Sequence, residues 1–320
     1  MTSNTADTSP EALAQGLVDL LEIEEVDTDL YVGKRQPGGV GRVFGGQVIA
    51  QALQAAQRST EGPKAAHSLH AYFMRPGNED YPIVFRVVRD FEGRSFATRR
   101  VIAMQKGQPI LNMAASFQMP EEGLHHQDAM PDVPAPETLR SDRDLRLENI
   151  DGIPEKFRAH MLRWRPIEVR PVNPRSWIDP APQEPHYANW FRLCAPIGDD
   201  PAMHRAILAY ASDMALLGTA LLPHGKNWIT PGLQTASLDH SLWLHEDFRA
   251  DDWLLYAQDS PSASAVVRWL KRFSASARVS NSRSNRATRD LKSDGPTSQA
   301  ATSSPSLLAG AGAFPCPASS

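Results

Sequence analysis

Residues 38–59 read GGVGRVFGGQVIAQALQAAQRS, and this stretch decides the architecture. A glycine-rich turn runs into an alanine-rich segment in which Val48, Ala52, Leu53 and Ala56 recur at helical spacing. The spacing predicts a helix of small residues, a surface that a sheet can approach closely. Upstream, EALAQGLVDLLEIEE at 11–25 places Leu13, Leu17, Leu20 and Leu21 on one helical face, and 28–36 reads as a strand. Downstream, 67–76, 81–92, 95–106 and 109–119 read as successive strands, with Gly93 and Gly107 where turns are needed. The order is a helix followed by an antiparallel meander.

Residues 121–185 change character. Prolines and charges dominate stretches such as PDVPAPETLRSDRD, with one short helix (DLRLENI) and one strand (PIEVRPV), which predicts a linker between two halves. The pattern then returns. YANWFRLCA at 187–195 is a strand, AMHRAILAYASDMALL at 202–217 a helix, and 234–245 and 253–259 are strands. SLHAYF at 68–73 aligns with LDHSLW at 238–243, and GRSFATRR at 93–100 with SPSASAVVR at 260–268, so a helix-plus-meander unit is present twice. These readings divide the chain into a first unit at 11–120, the linker, a second unit at 186–264 and a tail at 265–320.

The second copy breaks off. In the first, SFATRR leads into VIAMQKGQPILNMAASFQ, two apolar strands around a Lys-Gly turn; after Ser264 the second becomes rich in serine, arginine and alanine. That composition predicts disorder and a second sheet missing its last strands. A shift of reading frame near 264–268 would produce so abrupt a loss. Translation of the other two frames tests it: the idea fails if neither yields an alternating strand pair ending in a glutamine-containing motif.

Among the polar residues, Asp213 stands out within LAYASDMALLGTALL, because a carboxylate among apolar and small residues needs a partner. One reading is an aspartate at the solvent edge or bonded to backbone; the other is a carboxylate with a tuned pKa that positions a water. Ser237 is either a surface hydroxyl of a strand or a partner in that chemistry. Asp239 and His240 are neighbours on a strand, so they point to opposite faces and cannot act on one substrate atom. The alignment of His240 with His70 assigns His240 a structural role. No GxSxG elbow, metal motif or strand-linked GxGxxG is present, and His125-His126 reads as an exposed pair.

Together, FGGQVIAQAL (44–53), HSLHAYFMRPG (67–77), LAYASD (208–213), LLPHG (221–225) and ASLDHSLWLH with DDWLLYAQDSPSAS resemble the acyl-CoA thioesterase II family over residues 11–264. The resemblance implies an α+β double hot-dog fold, each half a long helix wrapped by an antiparallel sheet. It implies hydrolysis of fatty acyl-CoA to free fatty acid and coenzyme A, with no cofactor and no metal, by a homo-oligomer. It assigns the family's catalytic aspartate to Asp213 and its hydroxyl residue to Ser237. The family's third residue is a glutamine on the last strand. Its position falls near Ala287, so this chain lacks it; Gln118 is the first-half counterpart, and Gln299 lies in the tail and does not inherit the role. The expectation is a thioesterase impaired by the lost strands, with a non-catalytic acyl-CoA-binding or subunit-interaction protein as the alternative. A hot-dog dehydratase is weaker, since residues 44–57 have no His or acid and His204 is nine residues from Asp213.

The 320 residues carry a net charge of −4, against a nucleic-acid backbone binder. No run of 18 apolar residues and no signal-like N-terminus appear, nor a terminal Ser-Lys-Leu, so the expectation is a cytoplasmic protein without a membrane span. Cys194 and Cys316 predict a buried thiol and a tail thiol. Disturbed pairing of the damaged sheet predicts low solubility.

Overall fold

The computed structural model describes residues 7–36, 41–124, 126–176, 179–233, 236–267 and 270–281. Helix α1 (Pro10–Leu21) starts where Ser9 Oγ accepts the Ala12 N–H at 3.3 Å and Pro10 occupies the first turn. Strands β1 (Ile23–Asp27) and β2 (Leu30–Gly33) follow, then α2 (Gly45–Arg58), the helix expected from the alanine-rich stretch. Every residue of α2 from Gly46 to Ala56 is buried. Two of its glutamines are held by backbone oxygens: Gln51 Nε2 donates to Leu20 O at 2.7 Å and Lys34 O at 3.0 Å, and Gln47 Nε2 to Lys34 O at 3.1 Å.

The meander comprises β3 (Ala65–Phe73), β4 (Ile83–Glu92), β5 (Phe96–Gln105) and β6 (Gln108–Gln118). Lys106 and Gly107, both at positive φ (49° and 72°), make the tight β5–β6 turn that the Lys-Gly pair predicted. Alternate residues of β5 and β6, among them Val101, Ala103, Leu111, Met113 and Phe117, face inward.

The linker carries more structure than the sequence predicted. The predicted short helix is α3 (Asp142–Glu148) and the predicted strand β7 (Ile167–Pro171); α4 (Glu155–Leu162) is additional, and β7 pairs antiparallel with β8 (His186–Leu193). The second sheet thus begins within residues read as linker. The helix expected over 202–217 divides into α5 (Pro201–Ser212) and α6 (Leu216–Leu221). The segment Pro201–His224 is long and apolar enough for one membrane span by length and composition, but more than half of it is buried against protein and it is interrupted at Asp213.

The late strands differ in two ways from expectation. Strand β9 (Asp239–Trp243) does not join the second sheet but pairs with β3, giving the order β1-β2-β4-β5-β6-β3-β9. Strand β10 (Leu254–Val267) passes through the expected break at 264 and pairs with β11 (Leu270–Asn281), in a sheet ordered β11-β10-β8-β7. In the first half β6 lies between β5 and β3; among the described residues no strand fills the equivalent place between β11 and β9. Among the described residues the second half is short of that one strand, and the tail from 282 onward lies outside them.

The β3–β9 register also corrects the internal alignment. Ala71 pairs with His240 and His70 with Ser241, so Ala71 and His240 face the core while His70 and Ser241 face outward. His70 and His240 are therefore not counterparts, because an alignment slipped by one residue exchanges the two faces of a strand.

Candidate active site at the seam of the two halves

Asp213 does not lie inside a helix. It is the C-cap of α5, with φ −88° and ψ −1°, at the interruption between α5 and α6. Its carboxylate projects across the seam to the N-terminus of α2, where the Gly46 N–H donates to it. Phe44, the N-cap of α2, has no side-chain acceptor, so a carboxylate from the other half takes that place at the positive end of a helix dipole. The approach requires glycine. A Cβ on Gly45 would lie 2.6 Å from Asp213 Oδ2, and one on Gly46 would lie 2.3 Å from the Tyr210 carbonyl oxygen.

Ser237 Oγ donates to Asp213 Oδ1 at 3.2 Å. Ser237 is exposed and precedes β9 rather than lying within it. The pairing of β9 with β3, extended by Phe73 N–H to Leu238 O at 2.9 Å, delivers this hydroxyl to the carboxylate. The structure thus brings the two sequence-predicted residues together through elements of both halves. Part of Asp213 remains accessible, yet protein encloses it densely. Desolvation pushes its pKa from the ordinary 3.8 up to about 6, against the lowering effects of Ser237 and Gly46. A carboxylate poised near 6, with a hydroxyl beside it and an accessible edge, can hold a water and accept its proton.

Behind the carboxylate, three groups fix the end of α5. Tyr256 Oη donates to Ser212 O at 2.6 Å, Ser212 Oγ donates to Ala209 O at 2.9 Å, and His240 Nε2 lies 2.9 Å from Ser212 Oγ. Burial drives the His240 pKa down to about 4, so the ring is neutral, and it pushes the Tyr256 phenol up. The match to His70 that suggested a structural role does not hold, but His240 makes this buried contact behind the carboxylate. The sequence reading missed Ser212 and Tyr256, which have no motif of their own. Asp239 is exposed on the opposite face from His240, as the strand alternation required.

The other candidates lie elsewhere. His204 Nδ1 accepts the Ala250 N–H at 3.0 Å and its Nε2 faces Gly198 O at 3.1 Å, away from the carboxylate. Gln118 Nε2 donates to Glu121 at 2.8 Å on the first half. Cys194 is half-buried, its Sγ 3.1 Å from Pro10 O, and burial pushes its pKa up. Among the described residues no glutamine hydrogen-bonds to Asp213 or Ser237, and no three His, Cys, Asp or Glu side chains cluster to hold a metal. Ala287, Gln299, Cys316 and His125 lie outside the described residues.

Two helices wrapped by antiparallel sheets, joined at a seam that carries a carboxylate–hydroxyl pair, define a double hot-dog protein. A hot-dog protein of unknown function from Alicyclobacillus acidocaldarius shares this fold at a TM-score of 0.66, 19% identity and coverage of 84% of this chain and 92% of that one. The family profiles described as acyl-CoA thioesterase N-terminal domain and acyl-CoA thioesterase match residues 34–118 and 167–274. The chain is 36% identical over 252 residues to acyl-CoA thioesterase 2 of Haemophilus influenzae, covering 78% of this chain and 88% of that protein. It is 41% identical over 252 residues to human acyl-coenzyme A thioesterase 8, covering 76% and 78%. The crystal structure of the acyl-CoA thioesterase II TesB2 from Mycobacterium marinum matches at a TM-score of 0.65 and 36% identity, covering 84% of this chain and 91% of that one. The chain belongs to the acyl-CoA thioesterase II family.

Proposed function

We propose that this protein hydrolyses fatty acyl-CoA to free fatty acid and coenzyme A, with Asp213 as the group that activates water and Ser237 as its positioning partner. The observation that carries the reading is the 3.2 Å contact between Ser237 and a carboxylate whose pKa burial has raised to about 6. A thioester carbonyl is electrophilic and its thiolate a good leaving group, so an oriented water suffices without a covalent intermediate. Asp213 accepts the proton as water adds to the carbonyl carbon. Of the first amides of α2, Gly46 donates to Asp213 and Gln47 and Val48 donate to Phe44 O, which leaves the Gly45 N–H as the local donor for the oxyanion. The proton on Asp213 is then available to the departing thiolate.

The glutamine expected from the family has no counterpart among the described residues of this site. Loss of one water-orienting group lowers turnover by about 10²–10⁴. The experiment is thiol release from a medium-chain and a long-chain acyl-CoA by wild type, Asp213→Ala, Asp213→Asn and Ser237→Ala. Asp213→Asn keeps an acceptor for Gly46 while removing the base. Turnover that disappears in both Asp213 variants supports the assignment; turnover that persists in Asp213→Asn sinks it. The place between β11 and β9 that no described strand fills favours one other reading, a non-catalytic acyl-CoA binder, which a folded wild type without thiol release would support. A homo-oligomer and a cytoplasmic location belong to the same proposal, checked by size-exclusion chromatography and cell fractionation; the low solubility predicted from the incomplete sheet is refuted by a single well-behaved species.

A further inference from the structure

Beyond the interruption at Asp213, the chain enters α6, and Gly218 on that helix faces a small cleft open to solvent. Arg175, Ser176, Gln183, Lys226, Asn227 and Trp228 contribute to its lining. Arg175 is held in place from several sides. Its guanidinium carbon lies 3.6 Å from the centre of the Tyr187 ring, and its Nη2 donates to Thr219 Oγ1 at 3.4 Å. A Cβ on Gly218 would lie 2.1 Å from Arg175 Nη1, so only glycine makes room for the guanidinium. Thr219 is itself fixed, donating to Gln258 Oε1 at 2.6 Å.

Some of the arginines, among them Arg89, Arg100, Arg170, Arg192 and Arg249, reach a carboxylate. Among the described residues no carboxylate forms an ion pair with Arg175 or Lys226; Asp142 acts on Arg175 only at a distance. The Arg175 Nε is buried without a hydrogen-bond partner, and desolvation lowers its pKa. A pre-positioned, partly desolvated guanidinium and a lysine on the rim of the same cleft form a donor set that suits a phosphate group: the guanidinium donates charge-assisted hydrogen bonds and the ammonium adds a point charge.

We infer that Arg175 and Lys226 bind a phosphate group of the substrate's coenzyme A moiety, in the cleft beside α6. The inference rests on the proposed function. Gly218 lies five residues beyond Asp213, so one short helix connects the cleft to the carboxylate.

The test is a binding titration of free coenzyme A and of pantetheine, which lacks the phosphates, into wild type, Lys226→Gln, Arg175→Gln and Gly218→Ala. It needs no turnover, so an inactive enzyme and an absent phosphate site give different results. Coenzyme A is expected to bind wild type and to weaken about tenfold in each variant, with pantetheine binding unchanged. Lys226 is exposed, so its variant cannot act through unfolding. An unchanged coenzyme A affinity in Lys226→Gln, or equal loss of pantetheine binding in the variants, overturns the inference. So does inorganic phosphate binding as tightly as coenzyme A, which would make this a free-anion site.

Discussion

Replacement of Asp213 by asparagine should stabilise the protein at neutral pH while removing its chemistry. In the folded state burial raises the Asp213 pKa from the ordinary 3.8 to about 6. The folded protein therefore holds this proton more tightly than the unfolded chain. The stabilisation that comes with the proton is fully present below about pH 3.8 and is lost as pH rises through about 6. Above that pH the carboxylate is charged in an enclosed site, at a cost of about 3 kcal/mol, an upper figure because part of the group remains accessible. Asparagine has the same shape, can still accept from Gly46 and can donate to Ser237, but carries no charge. The stability difference, variant minus wild type, should thus be near zero at pH 4, grow between pH 4 and 6, and level off by pH 7. Urea unfolding of both proteins at one concentration, in steps from pH 4 to 8, measures it. A difference that is flat with pH, or a variant less stable than wild type by the same amount throughout, refutes the reasoning. The same titration should appear in catalysis, with wild-type kcat/KM rising through about pH 6 as the base is deprotonated.

His240 should act in the opposite sense. Burial lowers its pKa from 6.5 to about 4, so the stability it contributes is present above pH 6.5 and lost as pH falls towards 4; His240→Gln should remove about 3 kcal/mol of that acid sensitivity in the same unfolding series. Gly46→Ala places a carbon 2.3 Å from the Tyr210 carbonyl, so the halves must separate; a loss of about 1–3 kcal/mol together with a fall in kcat is expected, and a fully active, equally stable variant would contradict the packing. Arg99, fully buried, donates to Ser59 Oγ at 3.0 Å and Phe91 O at 2.7 Å and pairs with Glu92. Arg99→Ala should cost about 3–5 kcal/mol by thermal or urea unfolding, and a change under 1 kcal/mol would refute the pairing.

The sequence by itself determined the helix-plus-meander order and the duplication, and it singled out Asp213 as a candidate; Ser237 was proposed from the family resemblance. The first three rest on local patterns: alanine-rich helical spacing in 44–57, period-2 alternation in 95–119, and one carboxylate among apolar neighbours. The sequence placed the failure of the second copy at Ser264, whereas the structure carries strand pairing on to Asn281, where the described residues end. Element partners were not legible. Nothing local in DHSLW says that β9 pairs with β3 of the first half rather than with its own sheet, and the alignment of two histidines concealed a slip of one residue. The break of α5 at Asp213 was equally hidden, because what stabilises it is the N-terminus of α2, more than 150 residues away in the chain. The sequence named the carboxylate and the family resemblance the hydroxyl; their meeting, and the burial that tunes the carboxylate, exist only where the two halves close on each other. Burial, helix-end fields and strand register depend on groups far apart in the chain, and only the tertiary structure brings these together.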